Sequence, residues 1–401
     1  MKNIENMNVD GKCVLVRCDF NVPLNKDGSV SNDIRIKIAA PTIKHLINKG
    51  AKVIVMSHLG NPSKKRRMNE KKPLLERISS KLPEGSIYCV KDHLSSAVKR
   101  EVDFVDDCIG KKVKDRISQM KKGDVLLLEN VRLYKEEKEN SEEFARKLAS
   151  LADFYVNEAF SVCHRKHASV AKISRFIPSA AGMLLQKEVT MADRVKKNAK
   201  RPIVMIIGGS KVKSKISAIK YFIEHTDHVL LGGKLANAVL VVRGISVGLP
   251  LPEDEVIDAV KEVDFTSPKA HLPVDVIASP DRTGTAYIRE TGPGNTRGDE
   301  DIFDIGKETI KMYGEIIKEA GTIVWIGPLG LFEESSFERG TMEIADRIIR
   351  NHGALSIVGG GDTISALSKF ELLDKMDHVS YGGGALLAYL SNSPMPGLEG
   401  L

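Results

Sequence analysis

In the first half of the chain, arginine, histidine, asparagine and aspartate gather just past the ends of apolar runs. Arg17, Asp19 and Asn21 close the run that begins Val14-Leu15-Val16. His58 follows Val53-Ile54-Val55-Met56, and Arg132 follows Val125-Leu126-Leu127-Leu128. His164, Arg165 and His167 lie beyond Phe154-Tyr155-Val156, and Arg35 opens the segment after the first run. Guanidinium forks grip carboxylate and phosphate by two-point pairing. Each residue alone would pass as a surface or capping group. Their concentration at equivalent positions makes an anion site the stronger reading.

The second half repeats the pattern with glycine. Ile203–Ile207 runs into Gly208-Gly209-Ser210-Lys211, with Lys215 following, so two cations stand at a helix start. Such lysines oppose the helix dipole, which favours a bound phosphate over a solvated face. The segment Ala354–Thr363, ALSIVGGGDT, reads as a buried strand turning through three glycines. There Asp362 and Thr363 occupy favoured N-cap positions and Asp362 could face Mg²⁺. Taken alone it is also what a tight turn with a capping acid looks like. Glycine pairs or triplets end five strands of this half, a pattern read as a floor of backbone donors for a nucleotide. The usual fingerprints are absent. Gly359-x-Gly361 leads to Ile364 and Gly382-x-Gly384 to Leu387, so there is no G-x-G-x-x-G; Gly233-Lys234 precedes Leu235, so there is no Walker A motif.

The elements that must position these residues alternate. Strands are expected at 14–20, 53–56, 125–128, 154–156, 203–207, 228–231, 274–278, 322–326, 355–358 and, before the last glycine triplet, at 378–380. Helical periodicity covers 33–46, 141–151 and 182–197, Asp304-Ile305-Gly306 opens a further helix, and 279–299 reads as an exposed polar excursion. Apolar strands separated by helices predict an α/β fold with parallel sheets, in which ligands sit at the C-terminal strand ends. The 401 residues are too many for one core, so two domains are expected, divided near the long helix that starts at Gly182.

Composition narrows the class. Hydrophobic content of 42% and charged content of 28% are those of a globular chain, and a net charge of +7 favours anionic ligands without demanding nucleic acid. The run Lys64-Lys65-Arg66-Arg67 follows Asn61-Pro62-Ser63 and reads as a solvated loop. The five cysteines are odd in number and lack C-x-x-C, which fits free thiols in a reducing compartment. The opening MKNIENMNVDGK has no apolar h-region, and no run approaches the ~18 residues of a membrane span, so a cytoplasmic protein is expected. Cys163-His164-x-x-His167 lacks a second ligand pair at zinc spacing, so no metal centre is expected there.

Together these stretches resemble the phosphoglycerate kinase family over nearly the whole chain. The matching segments include Arg17-x-Asp19-Phe20-Asn21-Val22-Pro23, Ser57-His58-Leu59-Gly60, Leu128-Glu129-Asn130-Val131-Arg132 and His164-Arg165-x-His167-Ala168-Ser169. They continue with Gly208-Gly209-x-Lys211-Val212-x-x-Lys215, Trp325-x-Gly327-Pro328-x-Gly330-x-Phe332-Glu333, Gly359-Gly360-Gly361-Asp362-Thr363 and Gly382-Gly383-Gly384-Ala385. The resemblance implies two Rossmann-like lobes facing a cleft. It implies a phosphoglycerate-binding lobe over 1–181, an interdomain helix over 182–200, a nucleotide-binding lobe over 201–389, and a tail from about 390 to 401 that packs back on the first lobe. It implies reversible phosphoryl transfer between 1,3-bisphosphoglycerate and ADP, giving 3-phosphoglycerate and ATP, with Mg²⁺ as cofactor, a monomeric state, and neither membrane nor nucleic-acid partner. By the same resemblance Asp19, Phe20, Asn21, Arg35, His58, Leu59, Gly60, Arg132 and Arg165 serve phosphoglycerate. Gly209, Lys211, Lys215, Gly233, Gly306, Glu333, Gly360, Gly361, Asp362 and Thr363 serve the nucleotide. Asp362 faces the metal, and Arg35 and Lys215 meet the transferring group.

Several positions depart from the family pattern. Asn61 stands where His-Leu-Gly is usually followed by Arg, and Ile326 replaces the Asn of Trp-Asn-Gly-Pro. Glu158 replaces an Asp, Ser161-Val162 replace Gly-Thr, Tyr381 replaces a Thr, Ala388 stands where a Glu is common and Ser214 where an Asp is. Lys234 interrupts a third glycine and is read as restoring positive charge beside the nucleotide. The departures motivate an alternative, a relative that binds phosphoglycerate or nucleotide without turnover. A two-lobed solute-binding protein is disfavoured by the missing signal peptide, and a nicotinamide-dependent dehydrogenase by the missing fingerprint.

Overall fold

The computed structural model describes residues 1–62, 85–213 and 215–401; the basic run at 64–67 and Ser214 lie outside the described residues. The chain divides into two compact units, Met1–Thr190 with Pro394–Leu401, and Met191–Ser393.

The first unit is built on β1 (Cys13–Arg17), β2 (Lys52–Met56), β3 (Val102–Val105), β4 (Val125–Leu128), β5 (Phe154–Asn157) and β6 (Ser179–Ala181). They form a parallel sheet in the order β3-β4-β2-β1-β5-β6. Its strands are apolar on both faces because helices cover both. Val14, Val16, Val53, Val55 and Leu127 pack toward Ile36, Ile43 and Leu46 of helix Ile34–Asn48. The alternate residues Leu15, Ile54, Leu126 and Tyr155 pack toward Phe144 and Leu148 of helix Glu142–Ala149. From β1 the connections run one way to β2 and, by β5, the other way, so β1 and β5 flank the topological switch point where such sheets bind ligands. Strand β1 stops at Arg17, three residues before the expected end; Phe20, although buried, belongs to the loop beyond it. The C-terminal segment closes this unit: Asn157 Nδ2 donates to the Gly397 carbonyl at 2.9 Å, and Gly397 N to that of Cys163 at 2.8 Å.

The second unit contains β7 (Ile203–Ile207), β8 (His228–Leu231), β9 (Ala270–His271), β10 (Val276–Ser279), β11 (Arg289–Thr291), β12 (Asp301–Ile305), β13 (Thr322–Ile326), β14 (Leu355–Gly359) and β15 (His378–Ser380). A parallel sheet runs β15-β14-β13-β7-β8-β9, and its switch point falls between β7 and β13. The chain's one tryptophan, Trp325, is wholly buried and donates Nε1 to the Gly327 carbonyl at 2.8 Å, tying the strand to its own exit turn. Two expectations fail here. The polar stretch 279–299 is not merely an excursion: β10, β11 and β12 form an antiparallel sheet, and Arg289 and Arg297 N bind the buried Glu300. Ion pairing gives a segment without apolar periodicity a reason to order. Asp304 and Ile305 likewise end β12; the helix begins at Lys307, capped by Gly306.

Helix Met183–Asn198 starts from a buried carboxyl. Glu158 is 1% exposed, and its Oε1 accepts Thr42 Oγ1 at 2.5 Å and Leu184 N at 3.1 Å. Oε2 has no partner among the described residues and lies where a side chain on residue 182 would be, so only glycine fits there. Burial pushes the carboxyl up to about 8, against the pull of the Thr42 and Leu184 hydrogen bonds. The folded protein therefore holds this proton more tightly than the unfolded chain. The stabilisation is complete below the ordinary carboxylate pKa and is lost as pH rises toward 8. Glu158→Gln mimics the protonated form; thermal unfolding should show Tm raised by about 5 °C at pH 8 and little changed at pH 5.

Candidate functional site

In the first unit the loops leaving the switch point converge on Asp19. One carboxylate oxygen is held by Arg35, in the first turn of its helix, and by Ser161 from the loop after β5. The other accepts Asn21 N at 3.1 Å and lies 3.8 Å from His58 Nε2. Burial disfavours the charge, but the Arg35 guanidinium, the Ser161 hydroxyl and the Asn21 N–H overcome it and hold Asp19 well below the usual carboxylate range. Asp19 thus anchors the cations around it. Asn21 Oδ1 accepts Gly60 N at 2.7 Å, and Arg132 donates to the Gly60 carbonyl at 2.7 Å, so Asn21, Gly60 and Arg132 form one unit. Gly60 has φ +58°, which its turn requires.

Arg132 is 9% exposed, and its Nε has no partner among the described residues. Burial, then Arg17 and Arg165, lower its pKa to about 10. His167 is pushed down to about 4 by burial and by Arg132, Arg17 and Arg165, and His164 to about 4 by burial and Arg165. The two histidines are therefore neutral, and no group of three or more metal-ligating side chains occurs among the described residues. Arg165 is exposed. Not every expected contact residue reaches the surface. Phe20 is core, with its N–H donated to Ser57 Oγ at 2.8 Å, and Leu59 is 2% exposed with its carbonyl accepting Asn130 Nδ2 at 2.7 Å. Asn61 accepts a hydrogen bond from Lys138, whose pKa is lowered by burial and by Arg132 and Arg165. A lysine thus stands beside the position where the family pattern expected from the sequence has arginine. Lys138 lies in the charged run Lys135–Glu139, which offers no sign of it in sequence.

In the second unit the glycine turns interlock. Gly209, φ +81°, donates to the Pro328 carbonyl at 2.7 Å; Gly208 donates to Ile326 at 3.1 Å; Gly233, φ +59°, donates to Leu329 at 3.0 Å. A side chain on Gly208 or Gly327 would overlap the other's loop, and one on Gly383 would overlap Gly360. The floor of free donors read from sequence is therefore largely engaged within the protein; most of these glycines permit loop-to-loop packing. The cap expectation changes too. Gly360, φ +94°, precedes helix Gly361–Lys369, while Asp362 and Thr363 lie inside its first turn. Thr363 Oγ1 accepts Gly327 N at 2.7 Å, tying this turn to β13. Gly361 and Asp362 are exposed beside first-turn N–H groups that have no intrahelical partner.

Lys215 caps helix Ile216–His225 and donates to the Gly208 carbonyl, so its ammonium lies at the β7–β13 junction. Burial lowers its pKa to about 8, with Asp362 opposing and Lys211 assisting. Lys211 and Glu333 are exposed. Gly306 is packed against the Asp275 carboxylate. Ile326 is buried beside Gly360. Lys234 pairs with both oxygens of Asp301, so its charge is neutralised locally and it does not restore the positive charge expected. Asp304, absent from the sequence-derived set, is 2% exposed and accepts Gly340 N at 2.6 Å. With Thr341 Oγ1, which accepts Leu329 N and Gly330 N at 3.1 and 3.2 Å, it fixes the loop after β13.

Residues 4–393 match the profile of the family described as phosphoglycerate kinase. The chain belongs to the phosphoglycerate kinase family. Members of that family are phosphotransferases with a carboxyl group as acceptor. The phosphoglycerate kinase of Borrelia garinii subsp. bavariensis is 42% identical over 400 residues, covering 97% of this chain and 96% of the relative. That of Dictyoglomus turgidum is 40% identical, covering 99% and 97%. Among solved structures, phosphoglycerate kinase from Coxiella burnetii superposes with a TM-score of 0.80 at 35% identity, over 99% of this chain and 97% of that one. The enzyme from Pyrococcus horikoshii gives 0.85 at 30%, over 100% and 98%.

The expectation that Lys215 serves the nucleotide carries a pH dependence. Its charge is present below pH 8 and lost as pH rises through it, so kcat/KM for the nucleotide should fall above about pH 8. Lys215→Arg, which stays charged, should move that limb upward in a pH–rate profile.

Proposed function

We propose that the protein catalyses reversible phosphoryl transfer between 1,3-bisphosphoglycerate and ADP, giving 3-phosphoglycerate and ATP, in cytoplasmic glycolysis. The observation that carries this reading is the half-buried Lys215 at the junction of the glycine turns, in a chain whose other unit gathers Arg35, Arg132 and Arg165 near Asp19. An acyl phosphate is already activated, so no enzyme nucleophile is needed. The work is to align two polyanions and neutralise the charge they share.

In this reading Arg132, Arg165, Asn21 and His58 hold phosphoglycerate, and Asp19 aims Arg35. Lys215 and the first turn of helix Gly361–Lys369 hold the nucleotide phosphates, with Lys211 and Glu333 at its periphery. The Asp362 carboxylate is exposed at the first turn of its helix and acts on Lys215, which fits it to face Mg²⁺ carried in by the nucleotide; a magnesium ion in such sites takes one or two carboxylates and the phosphates. When bound, the ion would offset charge on the phosphates. The reactants are assigned to different units, so turnover includes a domain movement that brings donor and acceptor into line.

The burial of Ile326, which removes an amide beside Gly360, favours one competing reading, a binding protein without turnover. A coupled assay with ATP and 3-phosphoglycerate separates the two. Turnover is expected, and Lys215→Ala should lower kcat about 10²–10³-fold with KM for 3-phosphoglycerate little changed. Binding of both ligands without turnover would establish the competing reading.

A further inference from the structure

Arg17 is wholly buried at the end of β1, and its polar atoms are aimed one by one. Nε donates to Ser169 Oγ at 2.8 Å, Nη1 to the Cys18 carbonyl, and Nη2 reaches Nδ1 of His58 at 3.3 Å. Behind it, Glu137, also wholly buried, accepts both Ser169 Oγ at 2.6 Å and Ser169 N at 2.8 Å, and its carboxylate lies 4.0 Å from Nη2. The line Glu137–Ser169–Arg17–His58 leaves the guanidinium little freedom.

A guanidinium has only donors. The nitrogen of His58 that faces it must therefore offer a lone pair, and the ring proton of the neutral imidazole sits on Nε2. That nitrogen is 3.8 Å from the Asp19 carboxylate, on the side where Arg35 and Ser161 also converge. The reverse tautomer would turn an N–H toward the guanidinium and a lone pair toward the carboxylate, two repulsive contacts in place of two attractive ones. Burial keeps the ring neutral against the pull of Asp19, and Arg17, Arg132 and Arg165 reinforce it.

We infer that Arg17 is a positioning residue that fixes His58 as the Nε2–H tautomer, so that the imidazole presents a donor to an anionic group of phosphoglycerate. The inference rests on the reading of the first unit as the phosphoglycerate half-site. It divides the basic residues by role. Arg132 and Arg165 act by charge. His58 acts by a directed N–H, and Arg17 acts through His58.

The test is ¹⁵N NMR of histidine-labelled protein, free and with 3-phosphoglycerate, paired with steady-state kinetics. Wild-type His58 is expected to show a protonated Nε2 and an unprotonated Nδ1. In Arg17→Met both tautomers should be populated and His58 should titrate closer to its ordinary range. KM for 3-phosphoglycerate should rise about tenfold while KM for ATP holds. Arg17→Lys should recover part of that loss, and Ser169→Ala, which frees one edge of the guanidinium, should shift the tautomers in the same direction by less. Should Arg17→Met not fold, the wild-type spectrum and Ser169→Ala still decide. A proton on Nδ1 in the wild type, His58 signals unmoved by the substitutions, or an equal rise in both KM values would overturn the inference. Wild-type His58 signals that ignore saturating 3-phosphoglycerate would instead overturn the half-site reading, leaving the tautomer assignment standing.

Discussion

A site for polyanions must hold several cations close together before any anion arrives. In the proposed reading the first unit meets this constraint by pairing the cluster with buried acids. Asp19 takes Arg35 and attracts His58; Glu137 faces Arg17 and fixes Ser169. The remaining repulsion is visible in Arg132, whose pKa is lowered by burial and by Arg17 and Arg165, and in the neutral state of His164 and His167. Those two histidines therefore add no positive charge to the cluster.

The second unit meets a different demand. In the proposed reading its strand ends approach closely enough for one group of phosphates to touch several of them. Glycine at 208, 327 and 383 lets those turns pack at distances that no side chain allows, and Thr363, Thr341 and Asp304 lock them together. The resulting junction buries much of the Lys215 ammonium, which is why it is more acidic than an exposed one. The glycines therefore act mainly on shape, and helix first turns and lysines act on charge.

The departures from the family pattern have local explanations at some positions and not at others. Lys138 approaches Asn61, and Lys234 is neutralised by Asp301. The longer Glu158 reaches Thr42 and Leu184 only because residue 182 lacks a side chain. Nothing in the structure explains Ala388.

The alternation of apolar runs with polar ends was enough to determine parallel α/β units, and strands such as Ile203–Ile207 and Thr322–Ile326 are legible to the residue because helices on both faces demand unbroken apolar sequence. The basic residues at strand ends and the glycine turns were legible for the same reason: their positions follow from where strands stop. What sequence could not determine is which polar groups face each other across long separations. The contacts of Arg17 with Ser169, Asp19 with Ser161 and Asp304 with Gly340 each join segments far apart in the chain. Glu300 orders the polar stretch before β12 by ion pairing, which leaves no periodic signature. Local sequence sets which element forms and where it ends; only the packed sheets bring those ends into register, and that register decides which carboxylate holds which cation and which nitrogen of His58 bears the proton.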